Sequence, residues 1–198
     1  MFQHLPLPLR QPVSGLITAL SGILATLAPW IRGPGLELAG LTPDWPLIWV
    51  VAWSVRRSVW EGAVAGLTLG FLQDALTSSR PTHALELAIV GILTARLQKQ
   101  RYVQEDFISV ALIVFGMVVI AETLMALQWT LFSAATLNTP TLSSLGSELG
   151  DAPRSLASIW LTHQKNTLIS AILSSLWAPV LYLPLSACWD PQDAKKAK

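Results

Sequence analysis

Several stretches of this chain are unusually long and apolar, and they constrain its fold more than any other feature. Residues 107–137 form a run of 31 residues in which Glu122 is the only charged side chain, and residues 167–189 carry no charge. Crossing the roughly 30 Å of hydrocarbon in a bilayer takes about 20 apolar helical residues. The sequence therefore predicts an all-α integral membrane protein, with room for about five to seven crossings at that length.

Composition excludes the main alternative classes. Hydrophobic residues make up 52% of the 198 residues and charged residues 13%, which is about half the charged share of a typical soluble domain. Such hydrophobicity excludes intrinsic disorder. The 13 basic and 12 acidic residues leave a net charge of +1, so the basic excess that nucleic acid binding requires is missing. The single cysteine, Cys188, cannot form an internal disulfide.

Six transmembrane helices are predicted, packed as one compact bundle over residues 1–198. The second candidate is the weakest, because 13 residues make a helix of only about 20 Å. Pro179 and Pro184 favour a kink or an early end in the last helix. An extracytoplasmic loop is expected at 138–166, with a short interfacial helix within it, and a cytoplasmic tail at 190–198. The predicted helices cover residues 13–31, 43–55, 59–77, 82–97, 107–130 and 167–188.

The distribution of Lys and Arg predicts the orientation of these helices. With six crossings, both termini and the loops after the second and fourth helices share one side, which holds nine basic residues against four on the other. Because cytoplasmic loops carry an excess of Lys and Arg, both termini are expected in the cytoplasm. Arg56 and Arg57 lie on this side. If residues 43–55 did not cross, all later helices would invert and the asymmetry would be lost, so this segment counts as a crossing.

A row of small residues marks one face of the third helix. Gly62, Gly66, Gly70 and Asp74 recur every four residues, so they lie close to one helix face. Glycines at this spacing form a groove that lets another backbone approach closely. Two interpretations stay open at this point, namely plain packing against a neighbouring helix and a groove reserved for a partner subunit. The first helix carries a similar row, Ser14, Thr18, Gly22 and Thr26.

Asp74 ends the glycine row near the end of the third helix. A carboxylate in lipid costs at least about 2.5 kcal/mol, so it should face the bundle and find partners there. Ser78, His83 and the backbone N–H groups that begin the fourth helix are the candidates, since helix N-termini attract anions. We favour a structural clasp that closes the hairpin of the third and fourth helices over a role in proton or substrate handling.

The other carboxylates fall into two groups. Glu61 and Glu86 lie near predicted helix ends, where they are expected to reach the interface or to pair. Glu122 lies about fifteen residues into the fifth helix, which makes it the best candidate for a buried functional carboxylate. An internal hydrogen bond to a Ser, Thr or Trp side chain would also satisfy it.

Enzyme motifs are missing from the sequence. It contains no Gly-x-Ser-x-Gly, no His-Glu-x-x-His and no glycine-rich phosphate loop. Asp74, Ser78 and His83 crowd into one turn and lack the geometry of a catalytic triad. A single histidine is not a metal site. We therefore expect no catalytic activity, no cofactor and no bound metal.

The middle of the chain, about residues 43–101, carries a composite pattern. Pro43-Asp44 opens a short apolar helix that ends at Arg56-Arg57, and a glycine-spaced helix over 66–74 follows. Next come the turn Ser79-Arg80-Pro81, then His83-Ala84-Leu85 and a helix that ends in a basic cluster. This pattern resembles the MreD family, the small multi-pass subunit of the bacterial rod-shape (elongation) machinery.

The resemblance implies a non-catalytic scaffold in the bacterial inner membrane. MreD-like proteins bind the bitopic periplasmic protein MreC, and through it they connect MreB filaments with the RodA glycosyltransferase and its class B transpeptidase. Their six-helix fold is similar to the substrate-binding S-components of ECF-type vitamin transporters. The residues that we predict to bind partners or to support the structure are Gly62, Gly66, Gly70, Asp74, Pro81, His83, Arg56 and Arg57.

An alternative function follows from the same architecture, a solute-binding subunit of an ECF-type transporter. The small-residue face of the first helix would then dock an energy-coupling subunit. A solute pocket needs converging polar groups. The loose candidates are Glu122, Gln128, His163 and Asn166.

Overall fold

The structure, a computed structural model, describes residues 7–30, 40–77, 82–99, 107–137 and 156–193. Within these ranges the chain forms six α-helices and no β-strand, as the sequence predicts for an all-α protein. The helices are α1 Leu7–Leu27, α2 Trp45–Ser54, α3 Val59–Thr77, α4 His83–Lys99, α5 Phe107–Leu137 and α6 Leu156–Asp193. A single 3₁₀ turn, Ala28–Trp30, follows α1.

The first and last helices are longer than the sequence predicts. α1 begins at Leu7 rather than at residue 13, and Pro8 falls in its first turn, where a missing N–H does no harm. α6 begins at Leu156, so residues 156–166 are helical as part of the last helix and do not form a separate interfacial helix within a loop. It also continues past Pro179 and Pro184 to Asp193, so the early end does not occur. Packed neighbours let an apolar helix absorb the lost hydrogen bonds of a proline.

Two helices of the described chain contain stretches long and apolar enough to cross a membrane. These are Ile108–Phe132 in α5, of 25 residues, and His163–Leu185 in α6, of 23 residues. Large apolar side chains face outward on several helices, for example Trp60 at 82% and Leu176 at 70% exposure. Exposed apolar surface of this extent is typical of a face that contacts membrane or another protein. Six crossings remain a prediction from the sequence, because by length and hydropathy only these two helices of the described chain are candidate membrane spans.

The short helix α2 lies at the centre of the bundle. Ten residues give it a length of about 15 Å, and all of its side chains except Trp53 are buried. It contacts all five other helices. Two residues set where this helix begins. Asp44 caps it by accepting a hydrogen bond from the Leu47 N–H at 3.1 Å, and Pro46 suits a first turn. Enclosure by protein explains why so short a helix is uniformly apolar.

The start of α2 is level with the middle of α6. The Asp44 N–H donates to Ser174 Oγ at 2.9 Å, and Ser174 lies halfway along the apolar stretch of α6. Irregular backbone just before α2 therefore lies inside the bundle, where it is tolerated only if protein covers it or it lines a cavity.

Two helix pairs enclose α2. α3 packs most extensively on α4, and α5 on α6. The pairs are joined by a hydrogen bond from Gln128 Nε2 of α5 to the Thr82 carbonyl just before α4, at 3.2 Å. α1 packs on α2 and α3, and Trp49 Nε1 donates to Ser21 Oγ of α1 at 2.9 Å. α1 thus lies at the edge of the bundle.

Candidate functional site

The glycine row of α3 faces α4 along its whole length. A Cβ added at Gly62 would lie 2.6 Å from the carbonyl oxygen of Gly91, closer than real Cβ atoms come. At Gly66 the added atom would overlap the backbone of Leu87, and at Gly70 that of Ala84. The groove is therefore filled by α4 of the same chain. A partner subunit would have to displace α4 to enter it.

Asp74 joins the end of α3 to the start of α4. Its Oδ1 accepts hydrogen bonds from the backbone N–H of Thr82 at 3.1 Å and of His83 at 2.9 Å, and its Oδ2 accepts from the Ala84 N–H at 3.0 Å. The imidazole Nδ1 of His83 lies 2.8 Å from Oδ1. A carboxylate at a helix N-terminus satisfies N–H groups that have no partner within the helix. The sequence suggested these partners for Asp74.

Pro81, the turn proline of the predicted set, and Ser78 lie outside the described residues. Arg56 and Arg57 are at the turn between α2 and α3, where both guanidinium groups lie over aromatic rings. The Arg57 group is 5.2 Å from the ring centroid of Trp53, and the Arg56 group is 5.9 Å from that of Tyr182 on α6. Cation–π contacts of this kind hold the turn against its neighbours.

A lateral groove opens between α1 and the α2–α3 pair. Its volume is about 680 Å³. Small residues of α1 form one wall, namely Gly15, Thr18, Ala19 and Gly22. Trp49 and Trp53 form part of its floor, and their rings stack with centroids 6.0 Å apart. Arg57 and Glu61 are its charged lining residues. A shallow, largely apolar groove of this size suits a helix or an acyl chain.

A second, polar cavity of about 320 Å³ lies at the start of α2. Three carboxylates line it, and they come from three different elements: Asp44 before α2, Glu86 of α4 and Glu122 of α5. They lie near enough to act on one another electrostatically. The other polar lining side chains are Thr42, Gln73, His83, Asn166 and Ser170.

This cavity contains part of what the sequence suggested for a solute pocket. Glu122 and Asn166 line it. Gln128 and His163 do not: Gln128 bonds the Thr82 carbonyl, and the His163 Nδ1 lies 3.0 Å from the Thr167 hydroxyl one turn along α6.

Glu86 departs most from its prediction. Expected to reach the interface or to pair, it is only 3% exposed and makes no hydrogen bond to any residue that the structure describes. Asp44 was missed altogether as a cavity residue. The available signal was an acidic cap directly before a helix without any charged side chain, at 45–54.

The profile of the family described as rod shape-determining protein MreD matches residues 9–145, which is more than half of the chain. No curated protein and no solved structure matches the chain.

Proposed function

This chain belongs to the MreD family of rod shape-determining proteins, and from this we propose that it is a non-catalytic membrane scaffold of the bacterial cell-wall elongation complex. The family match carries the proposal. It is supported by the apolar helices of the structure and by the resemblance of residues 43–101 to the same family.

The proposed partners follow from the family resemblance. The chain binds MreC, and it thereby helps to couple MreB filaments to RodA and its class B transpeptidase. It resides in the inner membrane, crosses it six times and has both termini in the cytoplasm. The asymmetry of nine basic residues against four supports this orientation. The helix α2 is enclosed, and protein covers its apolar surface. This enclosure supports counting the short helix as part of a crossing.

We assign MreC binding to the lateral groove, not to the glycine row of α3. The groove-lining residues of α3, from Trp60 to Leu72, extend over about 18 Å at 1.5 Å per residue. That length accommodates three turns of a single transmembrane helix, which is what a bitopic partner offers. Gly15 and Ala19 on the opposite wall are exposed and allow close approach, the feature that favours helix association in lipid.

A bulky substitution in this groove tests the assignment. Ala19→Trp fills the space between the walls and leaves the contact between α3 and α4 unchanged, so co-purification of MreC in detergent should fall and rod cells should widen. Leu176→Trp is the matched control, because Leu176 is exposed on α6, which does not line the groove. Unchanged co-purification with Ala19→Trp removes the groove from the mechanism. If the unsubstituted protein does not co-purify with MreC, the proposed scaffold function is contradicted.

A solute-binding subunit of an ECF-type transporter is the second candidate. The polar cavity favours it, since Glu122 and Asn166 both line that space and ligand pockets need a few converging polar groups. A vitamin carried through purification, or a thermal shift with one of the common vitamins, would support this function. If no vitamin is carried through purification and none shifts the melting temperature, the scaffold function remains.

A further inference from the structure

We propose that the polar cavity at the start of α2 binds a small organic cation through a primary ammonium group. The inference rests on the residues that line the cavity, and it holds whether the protein is a scaffold or a solute-binding subunit. Nothing in the proposed scaffold role uses this space.

The cavity brings three carboxyl groups together. Asp44, Glu86 and Glu122 line it, and none of the described residues that line it is Lys or Arg. His83 also lines it, but its Nδ1 already lies 2.8 Å from Asp74. A buried carboxyl group without a partner, such as that of Glu86, is costly. A cationic ligand is the group that would compensate it.

The cavity also offers hydrogen-bond acceptors that have no donor. Glu86 is only 3% exposed and lines the cavity. It makes no hydrogen bond within the described ranges. Gln73 Oε1 is buried and has no partner there, and Gln73 lines the same space. Buried acceptors are normally satisfied by protein or by a bound group. A ligand rich in N–H donors fits this set.

The lining selects among cations. Quaternary ammonium groups are recognised by aromatic cages, and the described residues that line this cavity include no Trp, Tyr or Phe. Divalent metals need several ligands converging on one point, and the described residues include no group of three His, Cys, Asp or Glu side chains placed to hold a metal. A primary ammonium is compact, carries three donors and has no acceptor. It therefore matches the carboxylates and the free amide oxygen.

Two sources can supply such a group, namely a soluble amine and the ethanolamine headgroup of a phospholipid. The cavity volume of about 320 Å³ lies at the lower end of the range for small-molecule sites. Both sources present the same ammonium chemistry to the same carboxylates.

The first arm of the test uses the full chain in phosphatidylcholine nanodiscs. Titration with 1,4-diaminobutane, followed by calorimetry, should give saturable binding. The uncharged 1,4-butanediol and tetramethylammonium should bind far more weakly. Glu86→Gln keeps the side-chain volume and removes the charge, so affinity should fall about tenfold or more, as expected for a lost hydrogen bond to a charged group. Glu61→Gln is the control, because Glu61 lies outside this cavity.

The second arm replaces part of the phosphatidylcholine by phosphatidylethanolamine. If the headgroup is the source, this lipid raises the melting temperature of the unsubstituted protein but not of Glu86→Gln. If the source is soluble, the lipid has no effect while 1,4-diaminobutane still binds. Glu122→Gln provides a second variant should Glu86→Gln fail to fold. Absence of amine binding together with absence of a lipid effect overturns the proposal, and so does equal affinity in both cavity variants and the unsubstituted protein.

Discussion

Substitution of Gly66 by alanine should separate α3 from α4. Gly66 faces the backbone of Leu87, and an added Cβ would overlap that backbone rather than the end of a flexible side chain. Neither helix can relieve the overlap by a rotamer change. Gly116 in the middle of α5 is the matched control, because an added Cβ there meets nothing within 4 Å.

The expected magnitude follows from the neighbouring glycine, Gly62. Its Cβ would lie 2.6 Å from the Gly91 oxygen, whereas ordinary contact begins at 3.4 Å, so the helices must part by about 0.8 Å. A gap of about 0.5–1 Å removes a quarter to a half of the dispersion energy of the contacts that it opens. Overpacking typically costs about 1–3 kcal/mol. The contact at Gly66 is closer still, so Gly66→Ala should be at least as harmful as Gly62→Ala.

The assay is unfolding of the purified protein in mixed micelles of rising dodecyl sulfate content, followed by tryptophan fluorescence. Alanine gains about 1 kcal/mol of helix propensity over glycine at either site, so comparing Gly66→Ala with Gly116→Ala cancels this gain. Gly66→Ala should be less stable than Gly116→Ala by about 1–3 kcal/mol. Equal stability of the two variants would refute the assignment of the glycine row to the α3–α4 contact.

Two further predictions concern single hydrogen-bonding groups. Asp74→Asn should lower the free energy of unfolding by about 2 kcal/mol, measured in the same micelles, because both oxygens of Asp74 accept from N–H groups and an amide must turn its NH₂ toward one of them. Ser174→Ala should cost about 1–3 kcal/mol by leaving the Asp44 N–H without its partner. Ser175→Ala should be nearly neutral, since that hydroxyl bonds only the Ile172 carbonyl of its own helix; equal effects at both serines would contradict the reasoning.

The filled glycine groove has a consequence for locating the partner surface. Bulky substitutions at Gly66 or Gly70 disturb the hairpin itself, so a loss of MreC binding in such variants does not identify a contact. The lateral groove between α1 and α3 is free of this ambiguity, because Ala19 is exposed and no part of the described chain fills the space beside it.

Local patterns in the sequence predicted much of the fold. Long apolar runs predicted the helices and a membrane setting, because hydrocarbon leaves the backbone no partner except itself. The spacing of Gly62, Gly66 and Gly70 marked a close-packing face, and the position of Asp74 placed a carboxylate beside the start of α4 across a short turn. In each case the interacting groups are neighbours along the chain or repeat with the helical period.

Only the tertiary structure decided which surfaces meet and how deep each charge lies. A helical period identifies a face but not the element that packs on it. Only the packed bundle showed that α4 occupies the glycine groove. Glu86 looked peripheral by its distance from a helix end, yet the helices around it bury it. Asp44, Glu86 and Glu122 share one cavity although they are far apart in sequence. Their shared position depends on how α2, α4 and α5 pack around one point, and no local pattern encodes that.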